Sequence, residues 1–315
     1  MAKNLALAVD VGGTNLRTAV ISKNGKIIAK SFAKTARKGK SGKVIAEQIV
    51  GEIKKITGTG EMKDCEGIGV SIAGPIDYKK GASLNPPNMN FSFVPVVKPL
   101  EKAFRIPVYI TNDCNAGALG EKYFGKGRKV ENLVYITISS GVGGGAIVNN
   151  KLLLGKDGNA AEVGHLTVDT KYSLPCSCRR GRGHWEAYAS GNNIPKFFRS
   201  FFNLKTKFPG EAKEIFEAVA KKDKMVLEFM KELGKVNGRG ISNVIAAYDP
   251  ELIILGGAVA LNNFDIIMKY ALPNIDRFLR IPEISKSSLG EDAPLFGAAA
   301  VVFENFLNKF FTIAK

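Results

Sequence analysis

Apolar and polar positions along this chain recur with the periods of short strands and amphipathic helices. Residues 5–10 form a continuous apolar run ending in an acid, Asp10, and Gly12-Gly13-Thr14-Asn15 follow at once. Residues 17–22 alternate as a strand, Asn24-Gly25 is a hairpin signal, and residues 26–34 make a third strand. Apolar positions at Val44, Ile45, Ile49, Ile53 and Ile56 predict a helix over 43–56. A buried strand over 67–73 ends at Gly74-Pro75, and a Pro- and Asn-rich loop covers 85–88. A short helix is predicted near 96–104, then a strand over 108–110 that runs into Thr111-Asn112-Asp113, then a helix over 115–124.

The opening pattern then repeats. A strand over 133–139, a glycine turn over 140–145, a strand over 146–148, a turn at Asn149-Asn150 and a third strand over 152–154 follow the same course. Helices are predicted over 211–221 and 225–248, a buried strand over 252–255 ending at Gly256-Gly257, and helices over 264–279 and 296–310. The duplication predicts an α/β protein built from two similar halves facing each other across a cleft.

Composition narrows the class without deciding the function. The 315 residues suggest two domains, and 45% hydrophobic with 23% charged residues excludes global disorder. No apolar run approaches the ~18 residues of a membrane span. The amino-terminal residues lack the charged, apolar and cleavage segments of a secretory signal, so a cytoplasmic protein is expected. The net charge of +16 comes from Lys and Arg spread along the chain, with short concentrations at 34–43 and 179–182. No helix-turn-helix stretch, zinc-finger spacing or basic tail accompanies it, so it reads as a solvated surface rather than a nucleic-acid interface.

Three strands end in glycine turns, at 12–13, 141–145 and 256–257. Such turns let backbone N–H groups point at anionic oxygens, although tight hairpins and close packing use glycine too. No Walker A motif exists, because Gly39-Lys40-Ser41 lacks its upstream glycine, and no dinucleotide fingerprint follows a strand. Asp10 and Asp113 both stand at strand ends. Asp113, between Asn112 and Asn115, reads either as a helix N-cap or as a site carboxylate, since open α/β sheets bind ligands at the carboxyl ends of strands. The only two histidines, His165 and His184, flank the only Cys-x-Cys, Cys176 and Cys178. Two thiolates and two imidazoles make a closed tetrahedral zinc set; the alternative is a pair of buried free thiols with His184 on the surface.

Together these segments resemble the ROK family (repressor, open reading frame, kinase) of sugar kinases. Asp10-Val11-Gly12-Gly13-Thr14-Asn15 is similar to its first phosphate motif, Asn112-Asp113-x-Asn115 with Ala118-Leu119-Gly120-Glu121 to its catalytic segment, and Gly141-x-Gly143-Gly144-Gly145 to its second glycine turn. Glu162-x-Gly164-His165, Cys176-x-Cys178 and Glu186-Ala187-Tyr188-Ala189-Ser190-Gly191 follow in the family's order, as do Leu255-Gly256-Gly257 and Gly297-Ala298-Ala299. The resemblance implies two actin-like α/β domains around a central cleft. The expected domains are 1–112 with 299–315, and 113–298 with the zinc site. It implies an ATP-dependent hexose kinase, most simply a glucokinase acting on the 6-hydroxyl, with Asp113 as base. Gly74, Asn88, Asn112, Glu162, His165 and Glu186 would line the sugar pocket. Asp10, Gly12, Gly13, Thr14, Asn15 and Arg17, with Ser140, Gly141, Gly143 and Gly144, would hold ATP and Mg²⁺, while Gly256 and Gly257 would approach the adenosine.

One departure concerns the metal. The family pattern has three cysteines and one histidine on zinc, whereas here Cys178 is followed by Arg179-Arg180-Gly181-Arg182-Gly183-His184-Trp185-Glu186, one residue longer. Alignment on Gly-x-x-Glu puts His184 where the third cysteine belongs, so structural Zn²⁺ is expected on His165, Cys176, Cys178 and His184. Three rival functions remain. A sugar-responsive repressor would need a DNA-binding region ahead of the first strand, which begins at Leu5. An N-acetylhexosamine kinase would differ in the loop at 85–90, where Met89, Asn90 and Phe91 replace the family's usual arrangement. A silent sugar sensor is disfavoured by the intact Asp113. The expected partners are a small sugar and ATP, with neither nucleic acid nor membrane, in a homodimer or higher homo-oligomer.

Overall fold

The computed structural model describes residues 4–57, 63–87, 89–205 and 209–304. In chain order it runs β1 (Leu5–Val11), β2 (Asn15–Ser22), β3 (Ile27–Lys34), α1 (Lys43–Ile56), β4 (Cys65–Ile72), β5 (Ile76–Asp77), β6 (Ala82–Leu84), β7 (Phe93–Pro95), α2 (Val97–Phe104), β8 (Val108–Asn112) and α3 (Asp113–Tyr123). It continues with β9 (Leu133–Ile138), β10 (Val142–Val148), β11 (Lys151–Leu152), α4 (Glu186–Ala189), α5 (Ile194–Phe201), α6 (Ala212–Ala220) and α7 (Lys224–Tyr248). The last elements are β12 (Leu252–Gly256), α8 (Ala258–Ala271), β13 (Glu283–Lys286) and α9 (Ala293–Phe303).

The chain divides into two compact units, one of residues 1–129, 152–160 and 292–315, the other of 130–151 and 161–291. The sequence expectation drew the boundaries at 112 and 299, whereas α3 and the whole of α9 lie in the first unit. Each unit carries a five-stranded sheet of the same plan, β3-β2-β1-β4-β8 and β11-β10-β9-β12-β13. In both, an antiparallel meander is followed by parallel strands. The duplicated α/β organisation expected from the repeated strand–glycine–strand pattern is therefore present.

In the first unit β1 and β4 are covered on both faces, which is why they read as unbroken apolar runs. Leu7, Val9 and Val11 pack with Ile45, Ile49 and Ile53 of α1 in one core. Ala6 and Ala8 face the other way, against Leu295, Ala298 and Ala299 of α9. Small residues on that face bring α9 into backbone contact with its neighbours. An ideal Cβ on Gly297 would lie 1.7 Å from the Ala116 carbonyl oxygen, and one on Gly120 would lie 2.2 Å from that of Ala293. This packing sets the position of α3, whose first residue is Asp113. Gly297→Ala should therefore destabilise the fold by at least about 2 kcal/mol, since overpacking costs ~1–3 kcal/mol and here the obstruction is backbone. A chemical-denaturation midpoint equal to that of the wild type would contradict this packing account.

The second unit has a core of aromatic residues, with Trp185, Tyr188, Phe197 and Phe229 fully buried. The Trp185 indole N–H finds its partner in Asn237 Oδ1 at 2.9 Å, which fixes the segment entering α4. Several boundaries differ from the expectation. The glycines at 143–145 lie inside β10, paired with Thr137, Ile136 and Tyr135, so the turn itself is confined to the residues before Val142. Helix α8 begins at Ala258 because Gly257, at φ +81°, turns the chain directly out of β12. The terminal helix begins at Ala293, and the expected stretch beyond residue 304 lies outside the described residues. The loop around 85–88 is flanked by a small meander, β5-β6-β7, whose strands of two or three residues are too short to show a period. Among the described residues no helix is long and apolar enough to cross a membrane.

Candidate active site and metal centre

In the first unit β1 delivers Asp10 to the start of the glycine turn, where it is buried. Its Oδ1 accepts from Ser71 Oγ at 2.9 Å and its Oδ2 from Arg17 Nη1 at 3.3 Å. Burial pushes the Asp10 carboxyl up to about 6; Ser71 and Arg17 oppose the rise, and the charge of Asp113 adds to it. Arg17 is held from its other side by Asp292, 4.0 Å from Nε, and Asp292 in turn pairs with Lys30 at 2.5 Å. The Gly12 N–H donates to the Asn15 carbonyl at 2.9 Å and closes the turn, while Lys34 Nζ donates to Asn15 Oδ1 at 3.0 Å. Ser71 and Asp292 carry no sequence signal. They sit on a neighbouring strand and just ahead of α9, and only the fold brings them to Asp10 and Arg17.

Of the two readings of Asp113, cap or site carboxylate, the helix start excludes the cap. The Asn112 side chain accepts from the Asn115 N–H at 2.7 Å, so Asn112 is the N-cap and Asp113 the first helical residue. The Asp113 carboxylate is thereby released from capping. It accepts the Cys114 N–H at 3.0 Å, and burial drives its pKa upward against that bond. Gly74 lies against Asn112, with room for no more than van der Waals contact at a Cβ position 3.5 Å from Asn112 Cβ. Asn88, expected in the sugar pocket, lies outside the described residues.

The second unit gathers the remaining candidates. Glu186, at the start of α4, accepts the Val142 N–H at 3.1 Å through Oε2, beside Gly141 of the second glycine turn. Its Oε1 accepts from Ser177 Oγ, the residue between the two cysteines. His165 Nδ1 lies 3.7 Å from Cys176 Sγ, and His184 Nδ1 lies 3.7 Å from Cys178 Sγ. The His165 ring turns its other nitrogen toward Glu162, 3.9 Å from Oε2. The ligand atoms of His165, Cys176, Cys178 and His184 all lie within 4.8 Å of one another. Gly143 and Gly144 run on into β10, Ser140 stands in the turn before it, and Gly256 ends β12.

Comparison with known proteins bears on all of these segments at once. The chain matches the ROK family over residues 6–305. It belongs to that family. A glucokinase of Pyrobaculum calidifontis is 36% identical over 300 residues, which cover 95% of either chain. A ROK family glucokinase of Streptomyces griseus, solved with glucose and AMPPNP, is 30% identical and superposes with a TM-score of 0.77 over 95% of this chain and 99% of that one. A ROK hexokinase of Thermus thermophilus is 26% identical with a TM-score of 0.81, over 96% and 99% respectively. The two α/β units are thus those of the ROK family's actin-like fold.

Within this ROK chain the His/Cys cluster fits a tetrahedral ion on its own chemistry. Zinc bonds of about 2.0–2.3 Å place tetrahedral donors roughly 3.3–3.8 Å apart, and the two His–Cys separations already have that length. Burial pushes the Cys176 thiol up to about 11, with the Glu186 and Cys178 charges adding to it. Burial and His165 push His184 downward, which keeps the imidazole neutral and able to ligate. The loop carrying the cysteines is further tied by Asp169, which accepts the N–H groups of Lys171, Tyr172 and Ser173 and the Tyr188 hydroxyl at 2.6 Å. Tyr188 lies on α4 with Glu186, so the cysteine-bearing loop and that helix are one hydrogen-bonded body. Asp169 and Ser177 have no motif of their own and were not legible as site residues.

Proposed function

We propose that this protein is an ATP-dependent glucokinase that phosphorylates the sugar 6-hydroxyl. The observation that carries the reading is Asp113. It is a carboxylate at a strand end, freed from capping by Asn112, raised in pKa by burial and with no cation against it among the described residues, in a chain that matches glucokinases over nearly its whole length. Phosphoryl transfer needs positioning and charge neutralisation more than covalent chemistry. Asp113 accepts the proton of the attacking hydroxyl. The N–H groups of Gly13 and Thr14 in the first turn, and of Ser140 and Gly141 in the second, would face phosphate oxygens, and Asp10, held by Ser71 and Arg17, would face the magnesium of the nucleotide complex. Glu162, His165 and Glu186 are assigned to the sugar hydroxyls, as are Gly74, Asn88 and Asn112.

His165, Cys176, Cys178 and His184 hold one structural Zn²⁺. When bound, the ion supplies cross-linking and fixed ring orientation, since four protein ligands leave no open position for water. Glu162 stays at His165 Nε2, and the Glu186 carboxylate stays between Ser177 and the Val142 N–H. A coupled ADP-release assay over hexoses and N-acetylhexosamines tests the reading. Glucose should be the preferred acceptor. N-acetylmannosamine or N-acetylglucosamine used with about tenfold higher kcat/KM would replace it, a ratio well within what one polar substituent can discriminate.

A further inference from the structure

The segment after β3, Thr35-Ala36-Arg37, makes contacts that neither the family motifs nor the mechanism above uses. Thr35 Oγ1 donates to the Gly12 carbonyl at 2.7 Å, and the Thr35 N–H donates to the Thr14 carbonyl at 2.9 Å. Between them the Arg37 guanidinium donates to the Gly13 carbonyl from Nε at 3.0 Å and from Nη2 at 2.7 Å, and Nη2 also reaches Thr14 Oγ1 at 2.9 Å. Three consecutive carbonyls of the glycine turn are therefore held by one short segment. The segment is itself anchored on α1: Gln48 Oε1 accepts the Ala36 N–H at 2.9 Å, and Gln48 Nε2 donates to the Lys34 carbonyl at 2.7 Å.

The consequence follows from peptide geometry. In a trans peptide the carbonyl and the next N–H point in opposite directions. Fixing the Gly12 and Gly13 carbonyls on the Thr35–Arg37 side turns the Gly13 and Thr14 N–H groups away from it, and neither N–H donates to any described residue. Two free donors in sequence are an anion cradle. No Asp or Glu occurs from Val11 to Ala46, the stretch that forms the turn and the segment holding it.

We propose that Thr35 and Arg37 are positioning residues for the phosphoryl donor: they hold the turn's carbonyls on one side so that the Gly13 and Thr14 N–H groups face a phosphate of the nucleotide. The proposal rests on the kinase reading above. Binding of a non-hydrolysable ATP analogue with Mg²⁺ is measured by calorimetry for the wild type, Thr35→Val, Thr35→Ser, Arg37→Met and Arg37→Lys, beside the sugar KM and the melting temperature. Thr35→Val keeps shape but removes the hydroxyl donor, and Arg37→Lys keeps charge but loses the fork that spans Gly13 and Thr14. Thr35→Val, Arg37→Met and Arg37→Lys should each weaken nucleotide binding by about tenfold, the size of one lost hydrogen bond to a polar group. The sugar KM should stay within twofold, and Thr35→Ser should restore binding. Wild-type affinity in Thr35→Val and Arg37→Met would overturn the proposal while leaving the kinase reading intact, as would an equal loss of sugar and nucleotide affinity tracking a lower melting temperature. Arg37→Lys binding as tightly as the wild type would show that charge alone acts there, and would overturn the role given to Arg37. A wild-type protein that phosphorylates no hexose would instead remove the kinase reading.

Discussion

Asp113→Asn should lower turnover by at least ~10²-fold, the lower end of what a general base contributes, with little change in sugar binding. Asparagine keeps the size of the side chain and can still accept the Cys114 N–H, so the start of α3 and the Asn112 cap are preserved. What it removes is the group that takes the hydroxyl proton. Burial raises the Asp113 pKa, so the ionised form needed for proton abstraction appears at higher pH than for an ordinary carboxylate. Wild-type activity should accordingly fall on the acid side at a pH above the usual aspartate range. For stability the direction is the reverse. A carboxyl whose pKa is raised on folding favours the fold at pH below its unfolded value, and that contribution is lost as pH rises through the folded value. Above its folded-state pKa the ionised Asp113 opposes folding, and there Asp113→Asn should be at least as stable as the wild type. A variant that keeps turnover within threefold of the wild type would remove Asp113 from the base role, and one that loses turnover only because it unfolds would show in the melting curve.

How much of this was legible in the sequence depended on the range of the interactions. The strand–glycine–strand repeat announced two α/β units because runs buried on both faces read as apolar whatever covers them. The clustering of His165, Cys176, Cys178 and His184 was legible because histidine and Cys-x-Cys are rare enough that their proximity in sequence is itself a signal. The choice between Asn112 and Asp113 as cap was not, since both residue types cap well and only the Asn112–Asn115 bond decides. The glycines at 143–145 looked like a turn because glycine is equally at home in one; β10 runs through them because Gly144 passes the Ala161 and Val163 segment too closely for a side chain. Ser71, Asp169, Ser177 and Asp292 were invisible for a common reason. Each is an ordinary surface-type residue whose partner is far away in sequence or belongs to a loop without periodicity, and only the folded chain joins them.

His184→Ala should lower zinc affinity by at least about 10²-fold and raise the sugar KM, while nucleotide binding persists. Loss of a direct ligand must cost at least as much as the ~10–100-fold seen when only a supporting residue around a metal is lost. The route from the ion to the sugar runs through residues already placed. Cys176 and Cys178 bracket Ser177, whose hydroxyl holds Glu186, and His165 presents its second nitrogen to Glu162. Freeing the loop therefore releases two carboxylates proposed to bind one sugar. In the wild type one zinc per chain should accompany the purified protein, and Cys176 and Cys178 should resist a thiol reagent until a chelator is added. Cys65 and Cys114, which are buried in the first unit, supply the internal control, since a chelator should not change their reactivity. The opposite expectation comes from the basic residues of this loop, which is one residue longer than the family pattern. If Arg179, Arg180 and Arg182 keep a cation away by repulsion, elemental analysis finds less than about a tenth of an equivalent of zinc, both loop thiols react at once, and His184→Ala leaves the sugar KM unchanged. That combination would end the metal assignment. The positive charge alone does not favour it, because two thiolates bring two negative charges to the ion and the Arg182 side chain is directed to Ser173 at 3.3 Å.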